Sequence, residues 1–166
     1  MLSLQITSLK HFMNQLLVSG DFDSFLLEEA TISTSNTYTI DGHINRDFYP
    51  PEERNTDSLP YEFQPWSEIK GLCFDLIKGK HTPLYFKFVL YLKPEAAATL
   101  LQKEQPDRDA SSLKALVLNI RYDGTKATIT TGTSYHTFVL DKEIENLWDK
   151  TVMRFFGQKQ ISYELL

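Results

Sequence analysis

The side chains best able to do chemistry sit on one short turn. Lys78, Lys80, His81 and Thr82 fall close together, and Lys87 follows along the chain. Between Lys70 and Lys93 the sequence holds five Lys against one Asp, a local charge of +4 in a chain whose net charge is −5. Such a cluster suits an anion, a phosphate ligand or a nucleic-acid backbone. The competing reading is that Lys78 and Lys80 only complement the negative end of the helix before them. A second polar run, Thr130-Thr131-Gly132-Thr133-Ser134-Tyr135-His136-Thr137, has hydroxyls enough for a ligand. It equally fits the solvated face of hairpin strands, where Thr is common.

The remaining reactive types do not converge. Cys73 lies on an apolar helical stripe with little basic company beyond Lys70 and Lys78, which describes a buried inert thiol better than a nucleophile. His11, His43, His81 and His136 are scattered, without the short spacing of a zinc site. Glu28-Glu29 and Glu52-Glu53 are adjacent pairs, and neighbours on a strand point to opposite faces. The sequence has no Gly-rich phosphate loop and no nucleophile elbow. No catalytic set, metal site or cofactor is therefore expected.

The elements that position the lysine turn are the clearest in the chain. Trp66, Ile69, Cys73, Leu76 and Ile77 recur at helical spacing, and Gly79 suits the backbone that closes such a helix. From Leu84 to Leu92 the pattern alternates. Phe86, Phe88, Leu90 and Leu92 share one face, and Tyr85, Lys87, Val89 and Tyr91 share the other, as in a strand inside a sheet.

Before this stretch, Leu2, Leu4 and Ile6 read as a strand. Leu9, Phe12, Met13, Leu16 and Leu17 follow as a helix capped by Thr7 or Ser8 and ended by Gly20. That stripe reads as core, with a partner groove as the minor alternative. Phe25 to Ser33 reads as a strand, with a helix over Leu26 to Ala30 as the alternative, and Thr31 to Ile44 suits a pleated surface that a turn near Ser35-Asn36 makes a hairpin, with a second turn or bulge at Asp41-Gly42. Residues 50–65, broken by Pro50, Pro51, Pro60 and Pro65, read as a mobile surface loop.

After it, Pro94 starts a helix that continues through Glu104, and Gln105 to Ser112 is a second loop. A strand around Leu116, Leu118 and Ile120 runs into the turn Tyr122-Asp123-Gly124. Thr128 to Thr131 and His136 to Leu140 are expected as two strands joined through Gly132. Asp141 caps a last helix carrying Ile144, Leu147, Trp148, Val152, Phe155 and Phe156, which Gly157 stops, and Ile161 to Leu165 is a final strand.

Length and composition bound the rest. The 166 residues fit one domain over 1–166, with 42% hydrophobic and 23% charged residues. No apolar run is long enough to span a membrane, and the N-terminus lacks the pattern of a signal peptide. One cysteine permits no internal disulfide. Together these point to the cytoplasm. Residues 1–65 carry 3 Lys/Arg and 10 Asp/Glu, while 66–166 carry 14 and 12, so the acidity lies in the first part.

The chain also echoes itself at an offset of 84 residues. Leu2, Leu4 and Ile6 match Phe86, Phe88 and Leu90, and Met13, Leu16 and Leu17 match Ala97, Leu100 and Leu101. The order strand, helix, strands in 2–44 and 86–140 resembles the βαβββ half-repeat of sliding-clamp domains. That resemblance implies paired helices against antiparallel sheets. It does not carry over DNA encirclement, because Lys10 stands alone on the first helix, and Glu95 and Glu104 balance Lys93 and Lys103 on its counterpart. Closer at hand, three segments resemble an uncharacterised family of small bacterial proteins of unknown function. They are Tyr38-Thr39-Ile40-Asp41-Gly42, Leu76-Ile77-Lys78-Gly79-Lys80-His81-Thr82-Pro83 and Asn119-Ile120-Arg121-Tyr122-Asp123-Gly124. That likeness implies no activity.

The expectation is thus an α+β domain of antiparallel sheet and about four helices, in a clamp-like double repeat. Its expected role is a non-catalytic interaction module with a protein partner. The alternative is a nucleic-acid or phosphate-ligand binder whose anionic ligand meets Lys78, Lys80, His81, Thr82 and Lys87.

Overall fold

The computed structural model describes residues 1–139 and 141–166. Its strands are β1 (Ser3–Ile6), β2 (Phe25–Ser33), β3 (Thr37–Asp41), β4 (Gln64–Pro65), β5 (Tyr85–Leu92), β6 (Leu113–Tyr122), β7 (Ala127–Tyr135) and β8 (Tyr163–Leu165). Its helices are α1 (Leu9–Leu17), α2 (Trp66–Ile77), α3 (Pro94–Glu104) and α4 (Lys142–Gln158). The fold is α+β. One eight-stranded antiparallel sheet runs in the order β3-β2-β5-β6-β7-β1-β8, with β4 pairing β2 beyond the end of β3. No helix among the described residues is long and apolar enough to cross a membrane.

Strand alternation decides which face is covered. Phe86, Phe88 and Leu90 of β5 register with Ile32, Ala30 and Leu27 of β2 and with Tyr122, Ile120 and Leu118 of β6. These residues are buried in one cluster with Phe12 and Leu16 of α1, Trp66 and Cys73 of α2, Leu101 of α3 and Trp148, Val152 and Phe156 of α4. All four helices therefore share a single apolar core with that parity of the sheet. The opposite parity carries only a small cluster of Val89, Ala115 and Val117 with Tyr91 beside it. Polar and charged positions such as Thr31, Lys87, Arg121 and Thr128 line up across strands on that face.

Buried hydrogen-bonding groups attach the helices to the sheet. Trp66 Nε1 donates to Leu16 O at 2.8 Å, joining α2 to α1. Trp148 Nε1 donates to Val117 O at 2.9 Å, joining α4 to β6. Thr131 Oγ1 accepts from Leu2 N at 2.8 Å and donates to Asp149 Oδ1 at 2.5 Å, linking β1, β7 and α4. Asp141 caps α4 by accepting from Glu143 N and Ile144 N, and Arg108 Nη1 holds that carboxylate at 2.7 Å.

Several expectations need correction. Residues 127–135 form one strand, with Gly132 opposite Val117, and His136 and Thr137 lie in a bend. Leu140, the end of the expected second strand, lies outside the described residues. Gly157 is inside α4, and the chain leaves the helix at Gln160 with a φ of +57°. The stretch 50–65 lies on the surface, with residues 51–58 exposed, and polar contacts hold it near its ends. Arg46 Nη2 donates to Leu59 O at 3.1 Å, Arg54 Nε donates to Tyr49 O at 2.8 Å, and Leu59 and Phe63 are buried.

The element order β1-α1-β2-β3 matches β5-α3-β6-β7, and the hairpins β2–β3 and β6–β7 correspond, but the remaining strand pairing does not confirm a two-fold repeat. A two-fold repeat would match the β2–β5 pair with a β6–β1 pair, and the β5–β6 pair with a β1–β2 pair. β1 pairs with β7 and β8 instead. The shared order reflects two similar apolar patterns, and the sheet arranges them differently.

A bulge shapes the start of the β2–β3 hairpin. Register shifts between Leu27 and Glu29, so Glu28 is an extra residue whose carbonyl accepts from Gly42 N at 2.8 Å. A Cβ on Gly42 would stand 1.8 Å from Leu27 O, a backbone atom that cannot step aside. Gly71, inside α2, has nothing within 4 Å of the same point. Gly42→Ala is therefore expected to destabilise by about 2 kcal/mol or more through overpacking. Gly71→Ala should stabilise by about 0.5–1 kcal/mol through helix propensity. Urea unfolding of the two variants at one pH checks both signs, and a neutral Gly42→Ala would contradict the close approach.

Candidate functional site: an apolar groove beside the lysine turn

The α1 sequence sets up one wall of a groove. Its apolar stripe is wider than the core can absorb. Phe12, Leu16 and Leu17 are buried, while Leu9 and Met13 are half-buried. Val18, just past the helix end, is 53% exposed. The last turn of α2 forms the facing wall with Phe74 and Ile77, and Phe86 of β5 and Tyr122 of β6 lie at the base. The space between is about 710 Å³, within the range of ligand sites.

The lysine turn is the lip of this groove. Lys78 is the first residue past α2, and Gly79 takes a φ of +144°, which side-chain-bearing residues avoid. Lys78, Gly79, Thr82 and Pro83 line the groove with Lys10 and Asn14 of α1. The charged residues of the lining are two lysines, with no carboxylate among them.

The five residues singled out by sequence separate in space. Lys78 Nζ lies 3.0 Å from Asp75 Oδ1 and 5.7 Å from the centre of the Phe74 ring. Lys80 and His81 are exposed at the top of the turn. Thr82 faces the groove. Lys87 belongs to the strand parity that faces away from the helices, and its Nζ lies 3.0 Å from Glu29 Oε1. Adjacent strand positions diverge, so Lys87 is not part of the lip although it is close in sequence.

The other candidates also find definite places. The hydroxyls of the Thr-rich run divide between two faces. Thr131 is 1% exposed and bound to Asp149, while Thr130 registers with Ser3 and Asn119 on the uncovered face. Glu28 and Glu29 do not simply diverge, because the bulge breaks the alternation. Burial, then the charge of Glu29, pushes the Glu28 carboxyl above its ordinary range. Cys73 is fully buried, and burial pushes its thiol up to about 12. Among the described residues, no three His, Cys, Asp or Glu side chains gather as a metal would need.

Sequence reasoning passed over Val18 and Phe74, the exposed apolar walls of the groove. Both were legible as apolar residues beside a helical stripe rather than on it. It also passed over Gln15, which is buried. Its Nε2 donates to Lys159 O at 2.6 Å, fixing α1 to the end of α4.

This arrangement defines an α+β protein with helices on one face of an antiparallel sheet and an apolar, lysine-lipped groove between two of them. The chain belongs to a family of unknown function (DUF5721), which it matches over residues 15–164. No curated protein and no solved structure matches it.

The buried thiol has a measurable consequence. Its pKa is higher folded, at about 12, than unfolded, at the ordinary value of 9.0. Its contribution is complete below the unfolded pKa and is lost as pH rises toward the folded one. Stability should fall above pH 9 with a slope approaching about 1.4 kcal/mol per pH unit from this group alone. Denaturant midpoints from pH 8 to 11 for the protein and for Cys73→Ala check this by difference, with equal slopes as the contrary result.

Proposed function

We propose that this protein is a non-catalytic, cytoplasmic protein-interaction module that docks its partner in the groove between α1 and the end of α2. The observation that carries the reading is the groove itself. Apolar side chains of two core helices stand open to solvent around a space of about 710 Å³. Covering them with a partner would remove apolar surface from water at about 25 cal/mol per Å². Contiguous exposed apolar surface with a polar rim is characteristic of interaction sites.

The lysine turn enters this reading as the rim. As a free-standing phosphate or nucleic-acid site it has less support. Lys78 is engaged by Asp75, Lys87 is on the other face beside Glu29, and the end of α2 itself repels anions.

Val18→Asp and Phe74→Asp place charge on exposed walls without opening the core. Each is expected to keep the fold, read by its melting curve. Proteins retained by the unmodified chain in extracts of its own cells should be lost from both variants. A lost protein, once purified, should bind the unmodified chain directly and perturb the amide resonances of residues 9–18 and 74–83. Retention of the same proteins by both folded variants would remove the reading.

A further inference from the structure

We infer that the groove takes an amphipathic α-helix of the partner, one that carries acidic residues beside its apolar stripe. The inference rests on the docking reading above and specifies the partner's chemistry.

The helical form follows from the backbone at the groove. Its base is made by Phe86 of β5 and Tyr122 of β6. β5 is paired on both sides, with β2 and β6, and β6 is paired on both sides, with β5 and β7. Neither strand has a free edge, so an extended segment laid here could not add to the sheet. Its peptide groups would enter an apolar space unpaired. A helix pairs its own backbone and presents only side chains.

The shape agrees. Leu9, Met13 and Leu17 form one row along α1 at a spacing of four, and Lys10, Asn14 and Val18 form a second. Such rows are the ridges between which another helix seats its side chains. The nine residues of α1 run about 13 Å, enough to face roughly two and a half turns of a partner.

The charge follows from the lining. Lys10 and Lys78 are its charged residues, in a chain with 22 Asp and Glu against 17 Lys and Arg. Lys10 lies in the first turn of α1, which has no acidic residue and where the helix dipole disfavours a cation. Among the described residues Lys10 makes no ion pair. The Lys78–Asp75 pair is exposed on both sides and exchanges readily for a better-placed carboxylate. A partner carboxylate near these lysines relieves an unfavourable placement, whereas a partner lysine adds to it.

The test uses the full chain and three labelled peptides of about 14 residues, long enough for the groove. One has a Leu stripe at helical spacing flanked by Glu. The second has Lys in place of Glu, and the third is the Glu peptide with a central Pro. Fluorescence anisotropy at low and moderate salt should show the Glu peptide binding at least about tenfold more tightly than the Lys peptide. The Pro peptide should lose binding, and Lys10→Glu with Lys78→Glu should reverse the preference. Equal binding of the Lys or Pro peptide would overturn the inference. So would no binding of the Glu peptide, or dodecanoate occupying the groove where the Glu peptide does not. The two readings separate through the cellular partner. If Val18→Asp loses it while Lys10→Glu with Lys78→Glu keeps it, the acidic-helix inference fails and docking stands. If Val18→Asp and Phe74→Asp both keep it, both fail.

Discussion

The register of β5 between β2 and β6 is the constraint on which the rest of the structure depends. Its period of two places Phe86, Phe88 and Leu90 under the helices and Lys87 on the other side. A slip of one position would bring Lys87 into the core and expel three large apolar side chains, so the register has no close competitor. Every helix then packs on the same face, because only that parity of the sheet is continuously apolar. The bulge at Glu28 shifts β2 by one residue against β5, and Gly42 closes on Leu27 O where β3 gives way to β4 beside β2.

Hydrogen bonds from buried polar groups set where the helices lie on that face. The indole donors of Trp66 and Trp148 reach backbone carbonyls in α1 and β6. Thr131 ties β1 and α4 to β7, and Gln15 ties α1 to the end of α4. A buried donor or acceptor left unpaired costs about 1–3 kcal/mol, so these contacts fix positions that apolar packing alone would leave adjustable. Three helices, α1, α2 and α4, are fixed this way and α3 packs through Leu101, yet the four do not tile the face completely. The groove beside α1 is the gap that results, and its walls are the apolar residues that no neighbouring helix covers.

That gap has a definite chemical character. It combines apolar walls, a lining whose charged residues are Lys10 and the Asp75-paired Lys78, and a base of strands already paired on both sides. Each property weighs against a class of occupant. The walls disfavour a hydrated anion, the lysines disfavour a basic segment, and the paired strands disfavour an extended one. A helical apolar segment with acidic flanks meets all three conditions.

Much of the secondary structure was legible from spacing alone. The α2 stripe from Trp66 to Ile77, the alternation of β5 and the Asp141 cap of α4 are local signals, and each forms where its pattern lies. Local signals also misled. Gly132 and Gly157 read as breaks, yet one lies within a strand paired on both sides and the other inside a helix held by the core. The lysine cluster read as one site because sequence distance hides strand parity, which sends Lys87 to the far face. Most elements, their apolar faces and the turn that carries Lys78 to Thr82 follow from local sequence, because propensity and periodicity act over a few residues. The pairing of β1 with β7 and β8, the contact of Thr131 with Asp149 and the groove between α1 and α2 do not. Those outcomes depend on side chains far apart in the chain competing for one face of one sheet.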